Sequence, residues 1–117
     1  METSDKLAIC KVVAQAILVD GELGDAEFEL LDRLMERYGL DPAQRKQVRA
    51  RNIDDDPAAL VEGVTELGKA ELLHELAKAI LVDGEASPVE RKLLDGVART
   101  LAIPDDQVEQ AIAKAKA

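Results

Sequence analysis

The sequence predicts an all-α domain, a compact bundle of about seven helices, and three observations lead to that fold class. First, the 117 residues are 47% apolar but only 2% aromatic, so Leu, Ile, Val and Ala must build the core. Second, Glu, Lys, Gln and Arg are abundant, and these unbranched side chains lose little rotamer freedom in a helix. Third, apolar residues recur at steps of three and four, and no strand-like alternation is found.

A repeated segment divides the chain. Residues 16–22, Ala-Ile-Leu-Val-Asp-Gly-Glu, recur as residues 79–85, an offset of 63 positions. At the same offset Glu27 matches Glu90, and Leu-Leu-Asp is found in both copies. Because self-similarity of this length is hard to produce by chance, we interpret it as an internal duplication.

The duplication predicts one domain over residues 1–117 with internal pseudo-two-fold symmetry. Repeat one spans about 6–51 and repeat two about 69–116. In each repeat a helix, a tight acidic turn and a second helix follow one another, and Asp-Gly ends the first helix because glycine adopts left-handed backbone angles without steric cost.

Apolar stripes identify these helices. The stripes of the first helices consist of Leu7, Cys10, Val13, Ala14, Ile17 and Leu18, and of Leu73, Leu76, Ala77, Ile80 and Leu81. Those of the second helices consist of Phe28, Leu31, Leu34, Met35 and Tyr38, and of Val89, Leu93, Leu94, Val97 and Leu101. Ser87, Pro88 and Glu90 predict an N-cap, a proline in the first turn and a capping box.

The stretch between the repeats is predicted to be helical as well. Pro42 begins a short helix, a polar loop follows at 52–56, and Pro57 begins the next helix. That helix carries Leu60, Val61, Val64 and Leu67. A break is predicted at Gly68, before the second repeat, and a last helix follows Pro104. Such helices bury their stripes only against each other.

In these features the chain resembles the TerB-like family of tellurite resistance proteins. The resemblance rests on two Asp-Gly-Glu turns, a Leu-Leu pair in each following helix, and a terminal Gly-Leu or Ala-Ile. These lie at 20–22, 30–31 and 39–40, and at 83–85, 93–94 and 102–103. The resemblance implies a helical bundle and a role in tellurite and other stress resistance. It also implies a divalent-cation role for the acidic turns and no defined enzymatic activity. Related domains also occur beside chaperone co-factor modules, which implies a protein partner.

Charge and composition exclude other classes of function. The net charge of −9 repels phosphate backbones, so no nucleic acid partner is expected. No apolar run approaches the ~20 residues that cross a bilayer, so any membrane association would be peripheral and through a partner. The acidic start does not resemble a signal peptide, and the single Cys10 suits a reducing cytoplasm. Cys10 lies on an apolar stripe and His74 on the polar side of its helix, so no catalytic pair or cofactor motif is predicted.

Asp20 and Asp83 are the main candidate functional residues. Each follows a helix C-terminus, where the partial negative charge disfavours a carboxylate by ~0.3–1 kcal/mol. One interpretation is structural, because each carboxylate can accept backbone N–H groups of the next helix and fix the turn. The other is a shared hard-cation site of Asp20, Glu22, Asp83 and Glu85, whose oxygens suit Ca²⁺ or Mg²⁺. The spacing of glycine and acids excludes an EF-hand.

Four further acids are outer candidates for such a site. Glu27 and Glu90 are predicted to be capping-box residues rather than cation ligands. Asp32 and Asp95 lie beside buried leucines and are predicted to face solvent or to cap a neighbouring helix.

Two hypotheses about function follow. The first is a non-enzymatic, cation-responsive accessory protein of a tellurite and stress resistance system. The alternative is a metal-free protein–protein interaction module, a scaffold or co-chaperone-like domain, in which a helix face or the acidic surface docks a partner.

Overall fold

The computed structural model describes residues 2–20, 25–50, 56–81 and 87–116, and these residues form seven helices. The helices are α1 (Thr3–Asp20), α2 (Asp25–Arg37), α3 (Pro42–Arg49), α4 (Pro57–Leu60), α5 (Glu66–Ile80), α6 (Pro88–Thr100) and α7 (Asp105–Lys116). Within these ranges there is no β-strand, so the all-α prediction is confirmed.

Helix bounds recur at the offset found in the sequence. Displacing the range of α2 by that offset gives the range of α6, and the first residues of α1 and α3 are related in the same way to those of α5 and α7. Gly39 and Ala102, which occupy matching positions in the two repeats, both adopt left-handed angles, with φ of 67° and 58°. These helix bounds agree with the pseudo-two-fold duplication, which stays a prediction.

Helix α1 lies at the centre of the molecule. It packs against α2, α3, α4, α5 and α6, and most extensively against α5. The sequence predicted one apolar stripe, whereas residues 8–10 and 12–17 are buried in succession. A helix that is covered on almost every side needs small and apolar residues all round, and this is what Ile9, Val12 and Ala16 add to the stripe.

The predicted break at Gly68 is wrong. Gly68 lies in the first turn of α5, where its N–H donates to the Thr65 hydroxyl that caps the helix. The helix that begins at Pro57 ends already at Leu60, and the chain turns at Gly63 with φ of 81°. Gly68 is required for close packing, because a Cβ there would lie 2.7 Å from Cγ of Asp5. The predicted polar loop lies outside the described residues, apart from Asp56.

Three apolar residues assigned to stripes are not in the core. Phe28, Leu67 and Val89 are exposed by 46%, 74% and 51%. All three lie in the first turn or two of their helices. Leu67 also moves to the outer face of α5 because that helix begins at Glu66.

Candidate functional site

The four predicted cation ligands lie at or beyond the ends of α1 and α5. Asp20 is the last residue of α1, and its side chain is outside the described part of the structure. Glu22, Asp83 and Glu85 are also outside it, as is the side chain of Glu27. The structure therefore describes the helices that lead to the two acidic turns, and the ligand set stays a prediction.

Helices α1 and α5 run in the same direction. Near their N-termini the Asp5 carboxylate accepts hydrogen bonds from the Thr65 N–H at 3.0 Å and the Thr65 hydroxyl at 2.5 Å. Further along both helices, Cys10 lies within the electrostatic influence of Glu75. Because successive residues of α1 meet successively later residues of α5, the C-terminal ends of both helices lie at one end of the pair.

The outer candidates that the structure describes are engaged by protein groups. Glu90 is buried, and its carboxylate accepts the Ser87 N–H at 3.0 Å while the Ser87 hydroxyl accepts the Glu90 N–H. The capping-box prediction for Glu90 is thus confirmed, and one of its carboxylate oxygens is committed to the turn.

Asp32 and Asp95 face solvent, one of the two outcomes predicted for them. Asp32 accepts a hydrogen bond from Arg49 of α3 at 2.8 Å, and Asp95 accepts one from Arg91 at 3.1 Å. Arg91 also donates to Glu109 of α7, and these hydrogen bonds raise the pKa of its guanidinium. In the described ranges no group of three or more Asp, Glu, His or Cys residues is placed to hold a metal.

The lone cysteine and histidine occupy the environments predicted for them. Cys10 is fully buried, and burial together with the nearby Glu75 carboxylate raises the pKa of its thiol to about 12. A thiol with such a pKa is protonated at neutral pH and is a poor nucleophile. His74 is exposed on α5.

A charged cluster between α2 and α5 was not predicted from the sequence. Glu75 is only 3% exposed, and its carboxylate accepts a hydrogen bond from Arg37 Nη2 at 2.5 Å. Lys78 Nζ lies 3.7 Å from the other oxygen of Glu75. Tyr38 donates to Glu71 at 2.9 Å, and the Arg37 guanidinium lies 5.5 Å from the centre of the Tyr38 ring. These contacts tie the end of α2 to the middle of α5.

The pKa shifts in the cluster reflect these contacts. Burial lowers the pKa of Arg37, but its hydrogen bond and charge interaction with Glu75 outweigh that effect and the pKa is raised. Burial raises the pKa of the Tyr38 hydroxyl, and its hydrogen bond to the negatively charged Glu71 raises it further. Arg37 therefore keeps its charge, and Tyr38 keeps its proton, throughout the physiological pH range.

The position of Glu75 relative to the apolar residues of α5 could have indicated this cluster. Glu75 is three residues after Leu72 and four before Ala79, so it lies on the buried face of α5. Asp5 is placed in the same way, four residues before Ile9 and seven before Val12. An acid at the spacing of an apolar stripe indicates a carboxylate with dedicated hydrogen-bond partners, because an unpaired buried charge is costly.

A small pocket opens beside the cluster. Its volume is about 280 Å³, and it is lined by Leu30, Arg33, Leu34 and Arg37 of α2 and by Glu75 and Lys78 of α5. We call it the α2–α5 pocket. Its lining combines two leucines, three cationic side chains and the Glu75 carboxylate, and each cation is paired with a carboxylate of Glu29, Glu71 or Glu75.

These features define a class of protein: an all-α domain in which the other helices pack around one central buried helix, α1. A family profile described as Tellurite resistance protein TerB matches residues 6–115. The chain therefore belongs to the TerB family, and the resemblance predicted from the acidic turns is confirmed. Comparison with curated proteins and with solved structures found no match.

None of the described helices is both long enough and apolar enough to cross a bilayer.

Proposed function

We propose that this chain is a non-enzymatic accessory domain of a tellurite and stress resistance system that acts in the cytoplasm and binds a divalent cation. Asp20, Glu22, Asp83 and Glu85 supply the ligands, and their oxygens favour Ca²⁺ or Mg²⁺. Membership of the TerB family supports the resistance role. The protonated, buried Cys10 thiol agrees with a reducing compartment.

One observation carries the cation proposal: α1 and α5 pack side by side in the same direction. The C-terminal residues of both helices therefore lie at one end of the pair, and in the sequence each helix leads into an Asp-Gly-Glu motif, at 20–22 and 83–85. Two helix C-termini add partial negative charge at that end. A cation held between the turns would neutralise both the carboxylates and the helix ends, which explains why an acid is retained at an unfavourable position twice.

An amide-shift titration by NMR tests the proposal. Metal-stripped protein is titrated with Ca²⁺, Mg²⁺, Mn²⁺ and Zn²⁺, and we expect saturable changes centred on Gly21 and Gly84. Asp20→Asn combined with Asp83→Asn should abolish these changes and leave the circular dichroism spectrum unaltered. Flat spectra through millimolar metal would refute the cation site.

The chain offers a matched control for the double variant. Asp32 and Asp95 are a second pair of acids at matching positions of the two repeats, and both are exposed and paired with arginine. Asp32→Asn combined with Asp95→Asn removes the same number of charges and should leave cation affinity within about twofold, because each carboxylate is exposed and already bonded to an arginine. An equal loss in both double variants would mean that bulk charge attracts the cation and no site exists.

The alternative, a metal-free interaction module, is favoured by one observation. Phe28, Leu67 and Val89 are large apolar side chains that remain exposed, and such residues are commonly used in contacts with a partner protein. On this hypothesis a partner is retained in a pull-down without divalent cations, and its retention falls as salt is raised. Loss of the partner at every salt concentration when EDTA is present would contradict the alternative.

A further inference from the structure

We propose that α2 is a movable arm, held closed by an ion-pair latch between Arg37 and Glu75, and that it opens while the other helices stay packed. Three features lead to this inference: the few helices that hold α2, the polar character of its contact with α5, and the gap between these two helices. Opening of the arm does not require the cation proposed for the acidic turns.

Helix α2 is attached to fewer helices than α6, its counterpart in the second predicted repeat. Within the described residues α2 packs extensively only against α1, whereas α6 packs against α1, α4, α5 and α7. Leu93 lies in the groove between α4 and α6 and is 8% exposed. Leu30 holds the matching position in α2 and is only partly buried. Detaching α2 therefore disrupts one large helix contact, whereas detaching α6 disrupts several.

The contacts that join α2 to α5 are polar. Arg37 Nη2 donates to Glu75 at 2.5 Å and lies 3.8 Å from Glu71. The Tyr38 hydroxyl donates to Glu71 at 2.9 Å. Charged groups regain their hydration when they separate, so such a contact opens at a lower cost than an apolar contact of the same area. The pair therefore fixes the position of α2, yet water can replace it.

A gap between α2 and α5 gives water access to this latch. The α2–α5 pocket has a volume of about 280 Å³, and Arg37, Glu75 and Lys78 all line it. The cations of the pocket are paired with carboxylates of the protein, so their charges are used within the domain. Water in the pocket can solvate both partners of the Arg37–Glu75 pair as they separate.

Gly39 provides the pivot of the arm. It follows the end of α2 with φ of 67°, and the next residue, Leu40, is buried in the core. Glycine absorbs large changes of backbone angle at little steric cost, so α2 can rotate while Leu40 and α3 stay in place. Leu31, Leu34 and Met35 lose their burial when α2 leaves α1, so the open form is a minor species.

Cys10 is an internal reporter of this opening. It is the only cysteine and is fully buried in α1. Both Glu75 and Arg37 act on the pKa of its thiol, which places Cys10 near the latch. Departure of α2 removes Arg37 and uncovers this side of α1. A thiol reagent therefore reaches Cys10 only after the arm has opened.

Hydrogen exchange of the natural protein, in EDTA and without denaturant, is the first test. Residues 34–35 of α2 and 97–98 of α6 hold matching positions, and all four side chains are buried. The α2 amides should be at least about tenfold less protected than those of α6, because α2 opens alone. Equal protection of the two pairs would overturn the proposal, and this comparison needs no variant.

Labelling of Cys10 with an aromatic disulfide reagent tests the latch itself. Arg37→Gln should raise the labelling rate about tenfold, because the closed form loses a hydrogen bond between charged groups. Arg33→Gln is the matched control, since it makes the same change in the same helix but removes only an exposed ion pair with Glu29 inside α2. It should leave the labelling rate within about twofold.

The remaining outcomes contradict the proposal. If Arg37→Gln lowers the protection of α6 as much as that of α2, the pair supports the whole fold and is not a latch. If Cys10 of the natural protein reacts only through global unfolding, the arm does not open. Equal labelling rates in the natural protein and both variants mean that Arg37 does not restrain α2. Because EDTA is present throughout, none of these results depends on the cation at the acidic turns.

Discussion

Asp5 is a fully buried carboxylate whose partners all lie close in space. It accepts the N–H and the hydroxyl of Thr65, and the N–H of Glu2 approaches it at 3.4 Å. Burial raises the pKa of Asp5, but the hydrogen bonds from Thr65 and Glu2 outweigh that effect and hold the pKa below its ordinary value. The charged carboxylate therefore stabilises the contact between the N-termini of α1 and α5.

The first prediction is that Asp5→Asn destabilises the protein by about 1–3 kcal/mol. The amide loses a charge-assisted hydrogen bond and turns an N–H₂ group toward donors of Thr65. Urea unfolding measures the change in the free energy of unfolding. Asp106→Asn, at an exposed position of α7, serves as a control and should change stability by less than about 0.5 kcal/mol. Equal effects of the two substitutions would show that the Thr65 contacts contribute nothing.

The stability difference between the natural protein and Asp5→Asn should also depend on pH. Because the pKa of Asp5 is lowered in the folded state, its contribution to stability is complete above the unfolded pKa, about 3.9. The contribution is lost as the pH falls through the folded pKa. The stability difference between the natural protein and Asp5→Asn should therefore be constant from pH 7 to about 5 and shrink below about pH 4.

The second prediction concerns Gly68, which packs against Asp5. A Cβ at position 68 would lie 2.7 Å from Cγ of Asp5 and 2.8 Å from Cγ1 of Val64. Gly68→Ala should therefore destabilise by about 1–3 kcal/mol, although the same change in an open helix stabilises. Gly96→Ala is the matched control, because a Cβ at position 96 in α6 meets nothing within 4 Å, and it should stabilise by about 0.5–1 kcal/mol. Thermal unfolding separates the two signs.

At the scale of the helices, α2 and α6 end in the same way. The Leu40 N–H donates to Met35 O, and the Ile103 N–H donates to Ala98 O, which closes each helix after a residue in the left-handed region. That residue is glycine after α2 and alanine after α6, with φ of 67° and 58°. Only the alanine carries the steric cost of this conformation.

The third prediction exploits that difference. Ala102→Gly should stabilise the protein by about 0.5–1 kcal/mol, because it relieves the strain at positive φ. Gly39→Ala should destabilise it by about 1 kcal/mol, for backbone reasons alone, since a Cβ at position 39 meets nothing within 4 Å. Melting temperatures of the two variants should move in opposite directions. A shift of both melting temperatures in the same direction would contradict the conclusion that α2 and α6 end in the same way.

The helices themselves were largely predictable because their signals are local. Asp41 and Ser87 cap their helices as the following prolines indicated, and each forms a capping box. Gly68 was interpreted wrongly because a glycine is needed there for a contact with Asp5, which lies near the start of the chain and which no local pattern contains. For the same reason the tie from Arg37 to Glu75 was missed, although the spacing of Glu75 marks it as buried.

The candidate sites were predictable to a smaller extent. The acidic turns were found because the duplication makes an acid at a helix C-terminus appear twice. The α2–α5 pocket has no sequence signature, since Arg33, Arg37 and Lys78 look like solvated surface residues until α2 is placed beside α5. Charge clusters that form between elements depend on the packing of helices, and packing is what a single sequence reveals least.

For the whole molecule, the contact of α1 with α5 is the most extensive one between helices, and it joins the two predicted repeats. Ile9, Val12, Leu72, Leu76 and Ile80 are almost completely buried and belong to one continuous core. Neither repeat can therefore expose its half of the interface without losing a large part of its apolar burial. The predicted repeats would therefore differ from solenoid repeats, which contact only their neighbours and unfold in segments.

The fourth prediction is that the two repeats unfold as one cooperative unit. Tyr38 is the single tyrosine and there is no tryptophan, so its fluorescence reports the contact between α2 and Glu71 of α5. Unfolding in urea followed by Tyr38 fluorescence and by far-ultraviolet circular dichroism should give coincident transitions. Val12 and Leu76 are buried in α1 and α5, and their amides should exchange only by global unfolding and therefore with the same free energy. Two separated transitions would mean that each predicted repeat keeps its own core. Slower amide exchange in α5 than in α1 would mean the same. In either case the shared end of the helix pair, on which the cation proposal rests, would not be rigid.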